Sequence, residues 1–248
     1  IKIKKKRSRK SFLNLTKKKY ELIIVADINN SIFKKFFSKN IKKNYDSVAF
    51  TTIIDHDNIK NEVAEQHFTK FGPLAFLPIS KSQTSIVFSV FDKNLIKNKD
   101  KLVKLIEHYN NCYNIKKISK FQQFPINLSL SRNYFHKNIL SFGDALHKIH
   151  PLAGQGFNMT LRDAKILSEL IKENLDLGLN LDTILEKFEN KRKNPNFVFA
   201  MGVDFLHEFF KIINKYNMKS IDNLFKFINR NISIKKRIQS FADKGFII

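Results

Sequence analysis

The stretch "GDALHKIHPLAGQGFNMTLRDA", residues 143–164, decides how this chain is read. It holds three of the seven glycines and one of the five prolines of a lysine-rich, glycine-poor sequence of 248 residues. Upstream, "KNILSFGD" (137–144) reads as a strand that runs straight into a loop. From Gly156 onward, Leu161, Ala164, Leu167, Leu170, Ile171 and Leu175 fall on one helical face, with Gly178 as a natural stop. The unit is therefore strand, glycine loop, helix, and the question is what the loop is shaped to hold.

A metal is one reading, through His147 and His150 with Asp144. Pro151 directly after His150 disfavours helix there, and no second histidine cluster completes a ligand set. No metal is expected. Gly154-Gln155-Gly156 begins a GxGxxG pattern, but Met159 occupies the third position and no Walker-type lysine accompanies it. The remaining reading is physical. Asp144 at the end of a strand presents a carboxylate that accepts hydrogen bonds from hydroxyls. The glycine pair lets the backbone approach a flat ligand closely. The helix then offers N–H groups without intrahelical partners and the positive end of its dipole. A polyol chain attached to a ring that becomes anionic suits such a site, and a reduced flavin is such a ligand.

Outward from this unit, "KYELIIVAD" (19–27) reads as a buried strand ending in a polar turn. Residues 47–54, 62–71, 72–80 and 84–91 read as strands, with Pro73 and Pro78 marking strand ends or an edge. Residues 99–111 form a short amphipathic helix, and "FQQFPINLSL" (121–130) is a further strand. Residues 181–213, 218–229 and 233–242 have helical period with aromatic apolar faces. The layout is a mostly antiparallel sheet, one strand-loop-helix unit and a helical tail, which is α+β.

Composition narrows the classes. With 43% hydrophobic and 27% charged residues the chain is ordinary globular material. The net charge of +23 has two readings. One is an anionic partner, nucleic acid or membrane, for which residues 1–20 with ten Lys or Arg and no acid are the best candidate. The other is an AT-rich coding bias, because the basic residues are overwhelmingly Lys, spread through every segment beside abundant Asn, Ile and Phe. No specific nucleic acid is expected. Cys112 stands alone, so no disulfide framework exists and a reducing cytoplasm is expected. No apolar run reaches the ~18 residues of a membrane span. The chain starts at Ile1 with no Met before Met159, and the expectation is a C-terminal portion of something longer.

The stretch 143–164 resembles the second flavin-binding motif of the aromatic-ring flavoprotein monooxygenases, and "IHPLAGQGFN" is especially similar to the ubiquinone-biosynthesis hydroxylase branch. "FTKFGPLAFLPIS" (68–80), "FPINL" (124–128) and "FENKRKNPNFVFAMGVDFLHEFF" (188–210) follow in that family's order, so the resemblance covers about residues 20–245. "LIIVADINNS" (22–31) resembles the family's middle motif. Asp27 matches, but Ile28 stands where the family has glycine, and a β-branched residue resists positive φ. An ordinary strand end and turn is the alternative there.

The resemblance implies the α+β portion of a FAD/NAD(P)-binding α/β flavoprotein hydroxylase. In it, residues 1–30 are a remnant of the FAD-binding domain and 31–130 a substrate-binding sheet domain. Residues 131–178 make the second FAD contact, and 179–248 are a C-terminal helical region. It further implies that FAD is bound by Asp27, Gly143, Asp144, Pro151, Gly154, Gln155, Gly156, Phe157 and Asn158. Asp144 takes the ribityl hydroxyls, and the N–H groups of Phe157 and Asn158 face the ring. His150, Pro73 and Leu74 fall on the substrate side. Arg162 and Asp163 brace the helix by an ion pair or a cap, and packing is an equal role for His147 and His150. The implied activity is hydroxylation of a polyprenylated phenol in ubiquinone biosynthesis, with NAD(P)H and O2, through a C4a-hydroperoxyflavin. A bacterial enzyme at the inner face of the cytoplasmic membrane, within a quinone-synthesis assembly, is expected. The family's N-terminal GxGxxG unit is absent from these residues. A non-catalytic interaction subunit of such an assembly and a basic nucleic-acid-binding module are the alternatives.

Overall fold

A computed structural model describes residues 20–151, 155–178 and 180–216, with the isolated positions Asn231, Ser233, Lys236 and Ser240. The basic segment 1–19, the loop residues Leu152, Ala153 and Gly154, and the expected helices 218–229 and 233–242 lie outside the described residues, those isolated positions apart.

The strands are β1 (Ile23–Val25), β2 (Asn40–His56), β3 (Glu65–Thr69), β4 (Gly72–Ser80), β5 (Gln83–Val90), β6 (Ile115–Ile118), β7 (Gln122–Ser131), β8 (Phe135–His136), β9 (Ile139–Ser141) and β10 (His147–Lys148). The helices are α1 (Ser31–Phe36), α2 (Lys93–Ile96), α3 (Lys99–Tyr109), α4 (Gln155–Asp176) and α5 (Leu181–Tyr216). Seven strands form one antiparallel sheet in the order β10-β7-β2-β5-β4-β3, with β6 also on β2. A second sheet, β1-β9-β8, joins β1 to β9 in parallel across more than a hundred residues of sequence. Local sequence cannot signal that pairing.

β2 is the spine of the large sheet. Its register shifts between Asn44 and Ser47, where Asp46 takes a φ of 51°. Such a bulge bends a long strand. Beyond it, Phe50 and Ile54 meet Leu74, Phe76, Ile86 and Phe88 under α3, whose Leu102 and Ile106 lie one turn apart on its buried face. Asn98 starts that helix by accepting from the Lys101 N–H at 3.0 Å. At the bulge, Tyr45 joins Ile126, Leu128 and Leu130 of β7 against Met159 of α4 and Phe199, Ala200 and Val203 of α5. This second core fixes the two long helices on the sheet.

The prolines of β4 behave as expected. Pro73 is the second residue of the strand, and Pro78 lies beyond the reach of β3, whose pairing stops at Phe76. Several elements are absent from the sequence reading: α1, capped by Asn30, α2, capped by Asp92, the short strands β6, β8 and β10, and the first seven residues of β2, 40–46.

Candidate cofactor loop and its supports

β9 stops at Ser141, where the Phe142 N–H still reaches the Val25 carbonyl at 2.9 Å. Gly143 then turns with φ 59°, and the Leu146 N–H closes on its carbonyl at 2.9 Å. A side chain is strained at that φ. Asp144 therefore does not end a strand, as expected from sequence, but sits in a 3-10 turn, Gly143–Ala145. The positive φ breaks the ladder first. The turn leaves Asp144 exposed between buried Gly143 and Ala145. It also lies against α4, because a Cβ built on Gly143 would be 3.8 Å from Thr160 Cγ2.

After β10 the chain buries Ile149 and His150, exposes Pro151, and enters α4 at Gln155. Gln155, Gly156, Phe157 and Asn158 thus form the first turn, whose N–H groups lack intrahelical partners by helix geometry. A Cβ on Gly156 would meet Ile149 Cγ1 at 3.6 Å, so α4 packs closely on the incoming loop. Phe157 is 69% exposed and Asn158 is exposed. The buried Gln155 side-chain oxygen has no partner among the described residues. An exposed carboxylate, a row of N–H donors, one orphaned acceptor and small residues between them fit a ligand with hydroxyls and an electron-rich flat ring.

The buried face of α4 matches the expected one in part. Leu167 and Leu170 are buried and Ile171 packs with them, whereas Leu161 and Ala164 are exposed, Met159 and Asp163 are buried in the first turns, and the Leu175 side chain lies outside the described residues. Asp163 is 0% exposed. Its Oδ2 accepts from His147 Nε2 at 2.6 Å, and its Oδ1 from Arg192 Nε at 2.6 Å and Asn196 Nδ2 at 3.0 Å. Burial opposes its charge, but the hydrogen bonds from His147 and Arg192 and the guanidinium charge of Arg192 outweigh that, so its carboxyl is held below the usual range. The brace expected at Asp163 is thus present, as an ion pair. Arg162 lies over the Phe199 ring, 4.7 Å from its centroid.

His150 is also 0% exposed. Its ring packs on His207 of α5 with centroids 4.2 Å apart, and edge-on to Tyr45 at 5.6 Å. Neither of its ring nitrogens has a partner in the described structure. Burial, reinforced by His207, pushes its pKa down to about 3, and burial lowers His207 too. Tyr45 donates its hydroxyl to Asp204 at 2.6 Å, and Lys43 bridges Asp204 and Glu208 at 2.8 and 3.1 Å. Periodicity places His207, Asp204 and Asn196 on a helix but says nothing of these partners.

Of the other expected positions, Asp27 leaves β1 at the same sheet end as Gly143 and Asp144, because Val25 pairs in parallel with Ser141, while Pro73 and Leu74 lie on the large sheet. Asp27 is exposed after β1 and caps its own turn, its Oδ1 accepting from the Asn29 N–H at 2.8 Å. Ile28 avoids positive φ and packs with Val25, Ile32 and Phe33. Pro73 lies on the sheet face opposite the α3 core, whereas Leu74 is wholly buried in that core. Alternation along a strand makes the two exclusive.

A family model described as squalene epoxidase matches residues 19–238. Among curated proteins, the chain is similar to the ubiquinone biosynthesis monooxygenase COQ6, mitochondrial, of Dictyostelium discoideum, at 26% identity over 91% of this chain and 56% of that one. It is similar to the human protein of that name at 25% over 90% and 57%, and to the ubiquinone hydroxylase UbiL of Rhodospirillum rubrum at 24% over 76% and 46%. The chain spans about half the length of these relatives. Among solved structures, p-nitrophenol 4-monooxygenase PnpA of Pseudomonas putida superposes with TM-score 0.73 at 12% identity, over 92% of this chain and 60% of that one. Klebsiella pneumoniae HpxO, complexed with FAD and uric acid, superposes with TM-score 0.64 at 13% identity over 90% and 59%. Relatives from both eukaryotes and bacteria leave the expected bacterial origin unsupported.

Proposed function

Since this chain belongs to the squalene epoxidase family, we propose that it serves the FAD-dependent hydroxylation of the aromatic ring of a polyprenylated phenol in ubiquinone biosynthesis, with NAD(P)H as electron source and O2 as oxygen donor. The names of its relatives support the substrate class. The observation that carries the cofactor is the exposed Asp144, held by the positive-φ Gly143 against the start of α4.

When bound, a flavin supplies the electron transfer and oxygen activation that ring hydroxylation needs. The chain's residues do the rest. Asp144 accepts hydrogen bonds from the ribityl hydroxyls. The first-turn N–H groups of Phe157 and Asn158, with the helix dipole behind them, stabilise negative charge on the ring's edge. Pro151 and Gly156 keep bulky polar groups away from the ring. Pro73, Ala75 and Leu77, on the sheet face away from the α3 core, hold the apolar substrate and exclude water. The enzyme acts at the cytoplasmic side of the membrane holding the substrate, within a quinone-synthesis assembly. Exposed Phe197, Phe205 and Ile212 on α5 support such surface contact. Among the described residues no helix is long and apolar enough to cross a membrane.

Asp144→Ala tests the reading. FAD affinity of the native protein, followed by flavin fluorescence, is expected to fall on the order of tenfold to a hundredfold. The thermal midpoint of the FAD-free protein should stay unchanged, because the side chain is exposed. Full FAD retention by Asp144→Ala would remove the support for this site.

A further inference from the structure

We propose that Asp163 is the positioning residue of the cofactor loop, setting the first turn of α4 from behind by tying both stems of the loop to α5. This rests on the reading of residues 143–158 as the flavin-facing loop. His147 ends the stem that enters the loop, and Asp163 stands on the helix that leaves it. The bond between them, His147 Nε2 to Asp163 Oδ2 at 2.6 Å, ties β10 to the early turns of α4.

The same carboxylate anchors that tie to a third element. Arg192 Nε and Asn196 Nδ2 reach it from successive turns of α5, and Arg192 Nη2 donates to Asn196 Oδ1 at 2.7 Å. Asn196 Nδ2 lies 3.3 Å from the Tyr134 hydroxyl as well, which brings in the segment before β8. Every donor faces one carboxylate that is 0% exposed, so each hydrogen bond is made in a medium that amplifies it. Asp163 lies about 9 Å along the helix axis from Phe157, at about 1.5 Å rise per residue. A helix is stiff over that length, so the carboxylate's position sets where the donor N–H groups of Gln155 to Asn158 stand. Arg162, stacked on Phe199 of α5, fixes the rotation of α4 about its axis. Asp163 touches no cofactor in this arrangement and acts through the helix it holds.

Three variants of the native protein and two measurements test this. Asp163→Asn replaces one carboxylate oxygen by an amide NH2 where His147, Arg192 and Asn196 all converge on acceptors. Arg192→Lys keeps the charge but loses the fork that reaches both Asp163 and Asn196. Phe88→Leu disturbs the distant core under α3 and serves as the control for general loosening. The first measurement is amide hydrogen exchange without flavin. Residues 155–162 should exchange at least about tenfold faster in Asp163→Asn, while the β2, β4 and β5 amides stay protected. The second is FAD affinity at a temperature where all variants are folded. It should drop at least about tenfold in Asp163→Asn, severalfold in Arg192→Lys and not in Phe88→Leu. If Asp163→Asn does not fold, Arg192→Lys alone decides both readouts. Unchanged exchange at 155–162, or equal loss of FAD affinity in Phe88→Leu, overturns the proposal. A wild-type protein that binds no FAD defeats the cofactor reading instead, and the exchange experiment still decides whether Asp163 sets the helix start.

Discussion

Acidification should weaken this fold through His150 before its carboxylates titrate. In the unfolded chain this imidazole takes a proton near pH 6.5. In the fold it does so only at about pH 3, because burial against Tyr45 and His207 disfavours the charged ring. Between those values the unfolded state binds the proton and the folded state does not. Stability is therefore intact above pH 6.5 and falls as pH falls, by about 1.4 kcal/mol per pH unit. At pH 5 the loss is about 2 kcal/mol, and across the whole window about 5 kcal/mol, a large share of a typical domain's 5–15 kcal/mol. His207 shifts in the same direction and adds to the effect. Asp163 and Asp204, held below the usual carboxylate range, lose their contributions only below about pH 4. His150→Phe keeps an aromatic ring against Tyr45 and His207 but cannot titrate. Urea unfolding at pH 7 and pH 5 should show the wild type losing about 2 kcal/mol more than His150→Phe. Equal losses in the two proteins would refute the assignment of the acid sensitivity to His150.

Two further outcomes follow from packing, beside those expected for Asp144→Ala and Asp163→Asn. Gly72→Ala would set a Cβ 1.9 Å from the Ser89 carbonyl oxygen at a φ of 132°, and no flexible neighbour can give way. A cost of about 3 kcal/mol or more is expected, read as a lower urea midpoint or loss of soluble protein, and an unchanged midpoint would contradict the strand contact. Tyr45→Phe removes the 2.6 Å bond to Asp204 and should cost about 1–2 kcal/mol in chemical unfolding. The Lys43 bridge remains in that variant, and a cost near zero would mean that water replaces the hydroxyl without loss.

Much of this protein is legible locally. The alternation in β4 and β5, the apolar turns of α3 and the long period of α5 all carry their own signal, because half-buried strands and one-sided helices write their burial into spacing. The glycine-rich stretch is legible for the same reason. A φ of 59° at Gly143 needs a residue without a Cβ, and glycine is scarce in this sequence. Short elements such as β8 and β10 are not legible, since two residues carry no period and exist only because a partner strand lies beside them.

By itself the sequence determined the longer strands and helices, such as β4, β5, α3 and α5, and where the flavin-like motif lies. Only the tertiary structure decided which side chains face that motif's supports. Asp163 occupies the buried face of α4 in place of Leu161 and Ala164 because His147, Arg192 and Asn196 converge on it from β10 and α5. His150 is withdrawn into a cage with Tyr45 and His207, from strand and helix positions far away in the chain. Period along a chain records whether a residue is buried. Which charge neutralises a buried carboxylate, or which ring covers an imidazole, depends on contacts between distant segments, and those are settled only when the helices close on the sheet.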